Sequence, residues 1–169
     1  YGYGWTWATN APFRLAKQYA SHFGGTRNGM VVSWPQRITS RGIRPQFSHV
    51  TDIAPTIYEA AGITVPDTVN GVHQQPLDGS SLLYAFDKPD AAERHDTQYF
   101  EMMGNQAIYH QGWMASTTPA IVPWARDRRI DTLASEYPWE LYDLRADFSQ
   151  ARDLAAQQPQ QLARMKALF

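Results

Sequence analysis

Cysteine is absent from this 169-residue chain, which excludes disulfides and thiolate metal sites and leaves the redox compartment unmarked. Long apolar runs are lacking too. No stretch approaches the roughly 20 residues that a membrane helix requires, so no membrane partner is expected. Nor does charge of one sign accumulate, with 15 basic and 16 acidic side chains giving a net charge of −1. That balance offers nucleic acid or an anionic membrane no whole-chain footprint, and an anion site, if present, must be local. Five histidines (His22, His49, His73, His95 and His110) show no H-x-x-x-H or carboxylate-paired spacing, and the acidic residues show no calcium-loop pattern. No metal ligand is therefore assigned within the chain. The opening YGYGWTW lacks an initiator methionine and a charged n-region, and it reads as the middle of something longer.

Against these absences stand 43% hydrophobic and 18% charged residues, the balance of a folded globular chain. Residues 1–28 read as loop, with a short helix from Pro12 to Ala20. Met30–Trp34 (MVVSW) reads as a buried strand closed by Pro35. Asp52 to Ala61 is the clearest helix: Asp52 as N-cap, Pro55 in the first turn, Ile53, Ile57, Ala60 and Ala61 on one face, and Gly62 as the left-handed stop. A long loop follows to Gly79, and Ser80 caps a second short helix. From Thr97 the pattern turns to strands, TQYFEMM and AIYHQGWMAST, joined as a hairpin through Gly104-Asn105. WELYDL is a further strand, and Ser149–Phe169 reads as an amphipathic helix with Leu154, Leu162, Met165 and Leu168 on its apolar side. The composition shift at KPDAAERHD, near residue 90, suggests a subdomain boundary.

The segment KQYASHFGGTRNGMVVSWP, Lys17 to Pro35, carries the densest chemistry. Lys17 is a compact cation on a flexible stem, suited to an ester oxygen or a departing alkoxide. His22 offers an imidazole, the side chain suited to shuttling a proton to a leaving group. Gly24 and Gly25 let backbone approach a ligand closely. Arg27 suits a tetrahedral anion and equally suits a carboxylate inside the protein. By themselves these residues are also compatible with a solvated loop. His49, three residues before Asp52, reads as a hydrogen-bonded histidine in the turn before a helix, and His110 as a satisfied polar residue on a strand. Trp113 and Trp124 suit packing better than an aromatic pocket, and Asp78-Gly79 reads as a turn.

Five blocks, in order, resemble the type I (formylglycine-dependent) sulfatases and arylsulfatases of the alkaline-phosphatase superfamily: NAPFRLAKQYASHFGGTRNGMVVSWP, FSHVTDIAPTIYEAAGI, NGVHQQPLDGSSLLYAF, QYFEMMGNQAIYHQGWMAST and WELYDLRADFSQARDLA. They cover nearly the whole chain. The resemblance implies an α/β fold: residues 1–90 as the C-terminal part of a doubly wound sheet, residues 91–169 as a small antiparallel sheet subdomain with a terminal helix. It implies sulfate-ester hydrolysis through a formylglycine hydrate that attacks sulfur, with a calcium ion and several cations neutralising the sulfate oxygens. Lys17 matches the family lysine that contacts sulfate and leaving group, so Lys17 and His22 are the catalytic candidates and Lys17, His22 and Arg27 the substrate-binding ones. Two departures stand out. Phe23 precedes the glycine pair where many relatives carry an acid, and the lysine-to-glycine spacing is one residue longer than the common pattern.

On this reading the nucleophile motif C/S-x-P-x-R lies only outside these 169 residues, and it and the calcium ligands are expected upstream of Tyr1. The chain thus reads as the C-terminal segment of a sulfatase acting on a small-molecule sulfate ester, inactive alone, with an unpaired strand edge where its parallel sheet is cut. Periplasmic or secreted location follows from the family only. A phosphodiesterase or phosphonate monoester hydrolase of the same superfamily, and a non-catalytic anion-binding module, are the alternatives.

Overall fold

Period-two alternation organises the C-terminal half of the chain. The computed structural model describes residues 2–118 and 137–169. Its elements in chain order are helices α1 (Tyr3–Asn10) and α2 (Phe23–Thr26), a 3-10 turn (Val50–Asp52), helix α3 (Ile53–Ala61), strands β1 (Thr68–Val69) and β2 (Val72–His73), helix α4 (Leu83–Phe86), strands β3 (Thr97–Met102), β4 (Asn105–His110), β5 (Trp113–Thr117) and β6 (Trp139–Asp143), and helix α5 (Pro159–Leu168). Contacts divide them into two units, one built from Tyr1–Gly29 with Thr97–Phe169 and the other from Met30–Asp96. The composition-based boundary lies near residue 90; the structure instead folds the first 29 residues together with the C-terminal sheet.

In the first unit β3, β4, β5 and β6 form one antiparallel sheet in sequence order. Two-residue turns join its first three strands: Met103-Gly104 and Gln111-Gly112 all have positive φ, the mirror-image turn geometry that matches strand twist. The expected single strand AIYHQGWMAST is therefore two strands, broken at Gln111-Gly112. Ile108 pairs with Ala115 and Ala115 with Leu141, so these three share one face, and Met165 of α5 packs on them. Each such fully buried side chain contributes about 1.5–3 kcal/mol. On the opposite face Ala107 and Met114 pack with Phe23, Phe13 and Phe100 from outside the two strands. The sheet is thus covered by α5 on one side and by the N-terminal segment on the other.

Helix α5 is shorter than the pattern Ser149–Phe169 suggests. Residues before it serve the sheet edge instead: Leu154 N–H donates to Leu141 O at 2.8 Å, and Asp153 Oδ1 accepts from Leu141 N–H at 2.9 Å. These bonds satisfy edge groups of β6 that would otherwise stay open, and Pro159 then starts the helix. Likewise no helix forms over Pro12–Ala20. Leu15 and Gln18 have φ of 61° and 80°, which a right-handed helix excludes.

In the second unit α3 and its Gly62 stop at φ 66° follow the sequence. Asp52 does not cap α3. It is wholly buried at the end of the 3-10 turn, where its carboxylate accepts from His49 N–H (2.7 Å), Ser80 N–H (2.8 Å) and His95 Nδ1 (2.6 Å). His49 accepts from Thr51 N–H in return, closing a capping box. Gly79 is more than a turn residue, because a Cβ there would sit 2.1 Å from Thr51 O. Asn70-Gly71 forms the β1–β2 turn with φ of 50° and 79°. Met30–Trp34 forms no strand and has no ladder partner among the described residues, and Val31 is 95% exposed, so the expected buried strand is not found there. Beside it Met30, Val32 and Trp34 line an apolar groove of about 520 Å³ with Ile53, Ile57 and Phe86.

Candidate functional site

The loop from Phe13 to Arg27 is built from turns that fold back on the glycine pair. Gly24 N–H donates to Arg14 O at 3.1 Å, and Asn10 Nδ2 donates to both Leu15 O and Gly24 O at 3.0 Å. A Cβ on Gly24 would lie 2.2 Å from Arg14 O and Leu15 O, and one on Gly25 would lie 1.9 Å from Tyr19 O. Both glycines are thus required by the chain's own backbone, which occupies the close approach that sequence reading left for a ligand. Between the left-handed residues Leu15 and Gln18 stands Lys17, exposed, with no hydrogen bond or ion pair to any described residue.

His22 lies elsewhere in this loop and faces inward, 1% exposed. Its Nε2 is 3.2 Å from Glu140 Oε2 and 3.4 Å from the Tyr142 hydroxyl, and its Nδ1 is 3.0 Å from Ser21 Oγ. An ionised carboxylate only accepts, so Nε2 carries the hydrogen and both ring nitrogens are engaged. Arg14 donates to the Tyr142 hydroxyl at 2.9 Å and approaches Glu140 at 3.8 Å. Gln150, wholly buried, accepts from Phe23 N–H at 2.7 Å through Oε1. Arg27 is exposed and stacks over the Phe13 and Phe23 rings, 5.1 and 5.6 Å from their centroids. The structure therefore puts Lys17, His22 and Arg27 on one loop with three environments: open solvent, protein interior and aromatic faces.

Sequence reading missed Glu140, Tyr142 and Gln150. One signal for the first two was present: in WELYDL, Glu140 and Tyr142 stand two apart and so share the face opposite Leu141. Nothing local connects that face to His22, more than a hundred residues earlier.

The electrostatics follow from the contacts. The hydrogen bond with His22 holds the Glu140 carboxyl below its ordinary range, outweighing burial, and Arg14 adds to the effect. Burial, with Glu140 beside it, pushes the Tyr142 phenol up, so it stays protonated at neutral pH. A depressed carboxyl contributes stability that is present above its unfolded pKa, about 4.5, and is lost as pH falls through the lower folded value. Denaturant melts at pH 7 and pH 3 should therefore show a smaller acid loss for Glu140→Gln than for the parent. An equal loss in both would remove Glu140 from the acid response.

Among the described residues no three His, Asp or Glu side chains converge as a metal site. No residue is therefore given to the calcium ion that the resemblance implies. The letters of the family's nucleophile motif do occur once, as Ser33-Trp34-Pro35-Gln36-Arg37, correcting the expectation that such a string lies only upstream. Ser33 lines the apolar groove of the second unit, and Arg37 is held by Asp87 at 2.6 Å. No Lys, Arg or His is among the described residues that line this groove. Trp113 carries the Arg145 guanidinium 5.3 Å over its ring, and His110 Nδ1 lies 2.7 Å from Thr97 Oγ1. Trp124 lies outside the described residues.

Known proteins share this architecture. An uncharacterized sulfatase of Schizosaccharomyces pombe is 28% identical over 168 residues, covering 94% of this chain and 27% of the relative. The solved structure of Ps i-CgsB in complex with k-i-k-neocarrahexaose superposes with a TM-score of 0.65 at 22% identity, covering 92% of this chain and 30% of that one. A Bacteroides thetaiotaomicron structure, from work on the metabolism of multiple glycosaminoglycans, gives a TM-score of 0.61 at 20% identity, covering 92% and 31%. The chain thus spans about a third or less of the length of these relatives. Residues 19–167 match the family model described as N-sulphoglucosamine sulphohydrolase, C-terminal. With that match running through both units, the chain belongs to this sulfatase family as its C-terminal portion.

Proposed function

We propose that this chain is the C-terminal segment of a sulfuric ester hydrolase of arylsulfatase type, and that Lys17 is its contribution to the reacting centre. The observation that carries the reading is the state of Lys17: an exposed ammonium with no partner among the described residues, on a loop where Leu15 and Gln18 are held in the left-handed region. Each such residue costs on the order of 1 kcal/mol and persists only where its surroundings over-determine it, as at ligand sites. An ammonium without a carboxylate partner is ready to neutralise a sulfate oxygen or a departing alkoxide.

His22 contributes through position in this reading, because both its nitrogens are engaged inside the protein. Arg27 stays within reach of solvent on its aromatic shelf and serves as an outer anion contact. The formylglycine nucleophile and the calcium ligands belong to residues outside this chain. Residues 1–169 alone are then inactive, and the rest of the longer protein supplies the strand neighbour that Met30–Trp34 lacks among the described residues. The sugar ligand of the Ps i-CgsB complex makes sulfated carbohydrate esters a reasonable first substrate class beside aryl esters. Export to the periplasm or medium accords with that class.

Sulfate release from 4-nitrophenyl sulfate and from sulfated sugars, measured on the natural full-length protein and on residues 1–169, tests the proposal. Turnover by the former and none by the latter is expected. Hydrolysis of phosphate diesters in preference to every sulfate ester would move the protein to the phosphodiesterase reading.

A further inference from the structure

Glu140 and Gln150 lie far from Lys17 in sequence, yet a continuous set of bonds joins them. Glu140, on β6, meets His22 Nε2 at 3.2 Å. Gln150 holds the next residue through Phe23 N–H at 2.7 Å, and its Nε2 donates to Ser21 O at 3.4 Å. Ser21 Oγ in turn accepts from Thr118 at 2.7 Å. Residues 21–23 are therefore gripped on three consecutive positions, all of them buried, by Glu140 on β6, by Thr118 just after β5 and by Gln150 beyond β6. The glycine pair follows at once, and the Arg14–Tyr19 turn that carries Lys17 lies directly on it. The absent side chains of Gly24 and Gly25 leave no slack, since a Cβ would overlap the carbonyl oxygens of Arg14, Leu15 and Tyr19. A shift of His22 or Phe23 must therefore move that turn, because backbone in this contact cannot give as a flexible side chain would.

From this geometry we infer that Glu140 and Gln150 are positioning residues for the Lys17 loop, acting through His22 and Phe23. The inference rests on the proposed role of Lys17 for its kinetic consequence, but not for its structural one. Nothing in the bond set requires Glu140 to touch substrate. Its distance from His22 and the burial of that ring make it a brace, the kind of partner whose loss commonly costs 10–100-fold where it orients a ligand group.

The experiment uses the natural full-length protein and five variants: Glu140→Ala, Glu140→Gln, Gln150→Ala, Lys17→Ala and the double variant Glu140→Ala/Lys17→Ala. Backbone amide exchange is read first, since it needs no substrate. Glu140→Ala and Gln150→Ala should raise exchange at residues 14–25 at least tenfold, while β4 and β5 keep their protection. Glu140→Gln, which still accepts from His22, should restore most of it. Turnover at a temperature well below melting is read second. Glu140→Ala should lower kcat/KM about 10–100-fold, mainly in kcat, and should add little to the loss caused by Lys17→Ala alone.

Unchanged exchange at residues 14–25 overturns the inference, as does a loss of protection spread evenly over the sheet, which marks general destabilisation. Kinetic losses of Glu140→Ala and Lys17→Ala that multiply independently overturn it as well. A parent protein without sulfatase activity, or an active one indifferent to Lys17→Ala, would sink the proposed function instead, and the exchange pattern would still decide the brace.

Discussion

Lys17→Ala is expected to lower sulfate-ester turnover by the full-length protein on the order of 100- to 1,000-fold while leaving the fold intact. The magnitude is that of removing one pre-placed group which meets developing charge at a water-poor site. Two features of the structure separate this from an ordinary surface substitution. Lys17 has no partner among the described residues, so its removal orphans no buried group and stability should change by less than about 0.5 kcal/mol. Among the described residues no carboxylate forms an ion pair with it, so its charge is available to an anionic substrate. The loss should fall chiefly on kcat if the ammonium meets the leaving oxygen, where charge grows only as the bond breaks, and on KM if it meets a sulfate oxygen already charged in the ground state. A variant with more than a third of parental turnover, measured alongside an unchanged melting curve, would remove Lys17 from the reacting centre.

The largest stability effect is expected at Asp52, in the other unit. Asp52→Ala should destabilise the protein by about 3 kcal/mol or more, since three donors lose a buried acceptor at about 1–3 kcal/mol each. Its carboxylate is wholly buried and accepts from two backbone N–H groups and from His95. Without it the N–H groups of His49 and Ser80 lose their acceptor, and His95, itself buried, loses the partner of Nδ1. Asp52→Asn keeps the size and one acceptor oxygen and should recover part of the loss. Urea melts of the three proteins check the order. An Asp52→Ala midpoint within experimental error of the parent would mean that solvent reaches these groups and that the burial described here does not hold in solution.

How far the sequence leads can be seen by comparing α3 with the His22 cluster. Helix α3, its Gly62 stop, the β3–β4 hairpin and the WELYD strand are all visible as patterns, because each depends on residues within a few positions of one another. The family is visible for a related reason: five short blocks keep their order, and each is a local string. The errors share a cause as well. Pro12–Ala20 has helical composition, but Arg14 O accepts from Gly24 N–H and Leu15 O from Asn10 Nδ2, and those commitments override propensity. Met30–Trp34 has the composition of a buried strand, yet a strand needs a neighbour to pair with, and the described residues provide none. Residues 150–158 have the spacing of a helix and are instead drawn out to close the edge of β6.

By itself, then, the sequence determined the helix and hairpin positions, the family and the loop on which the candidate cations stand. All of these rest on short-range patterning and turn chemistry. Tertiary structure alone decided what each cation does. Lys17, His22 and Arg27 are similar entries in a string, but the pairing of β5 with β6 brings Glu140 beneath His22, the aromatic pair Phe13 and Phe23 takes Arg27, and Lys17 is left to solvent. A charge acquires its role from what lies within a few ångströms of it, and here those neighbours are set by contacts that span most of the chain.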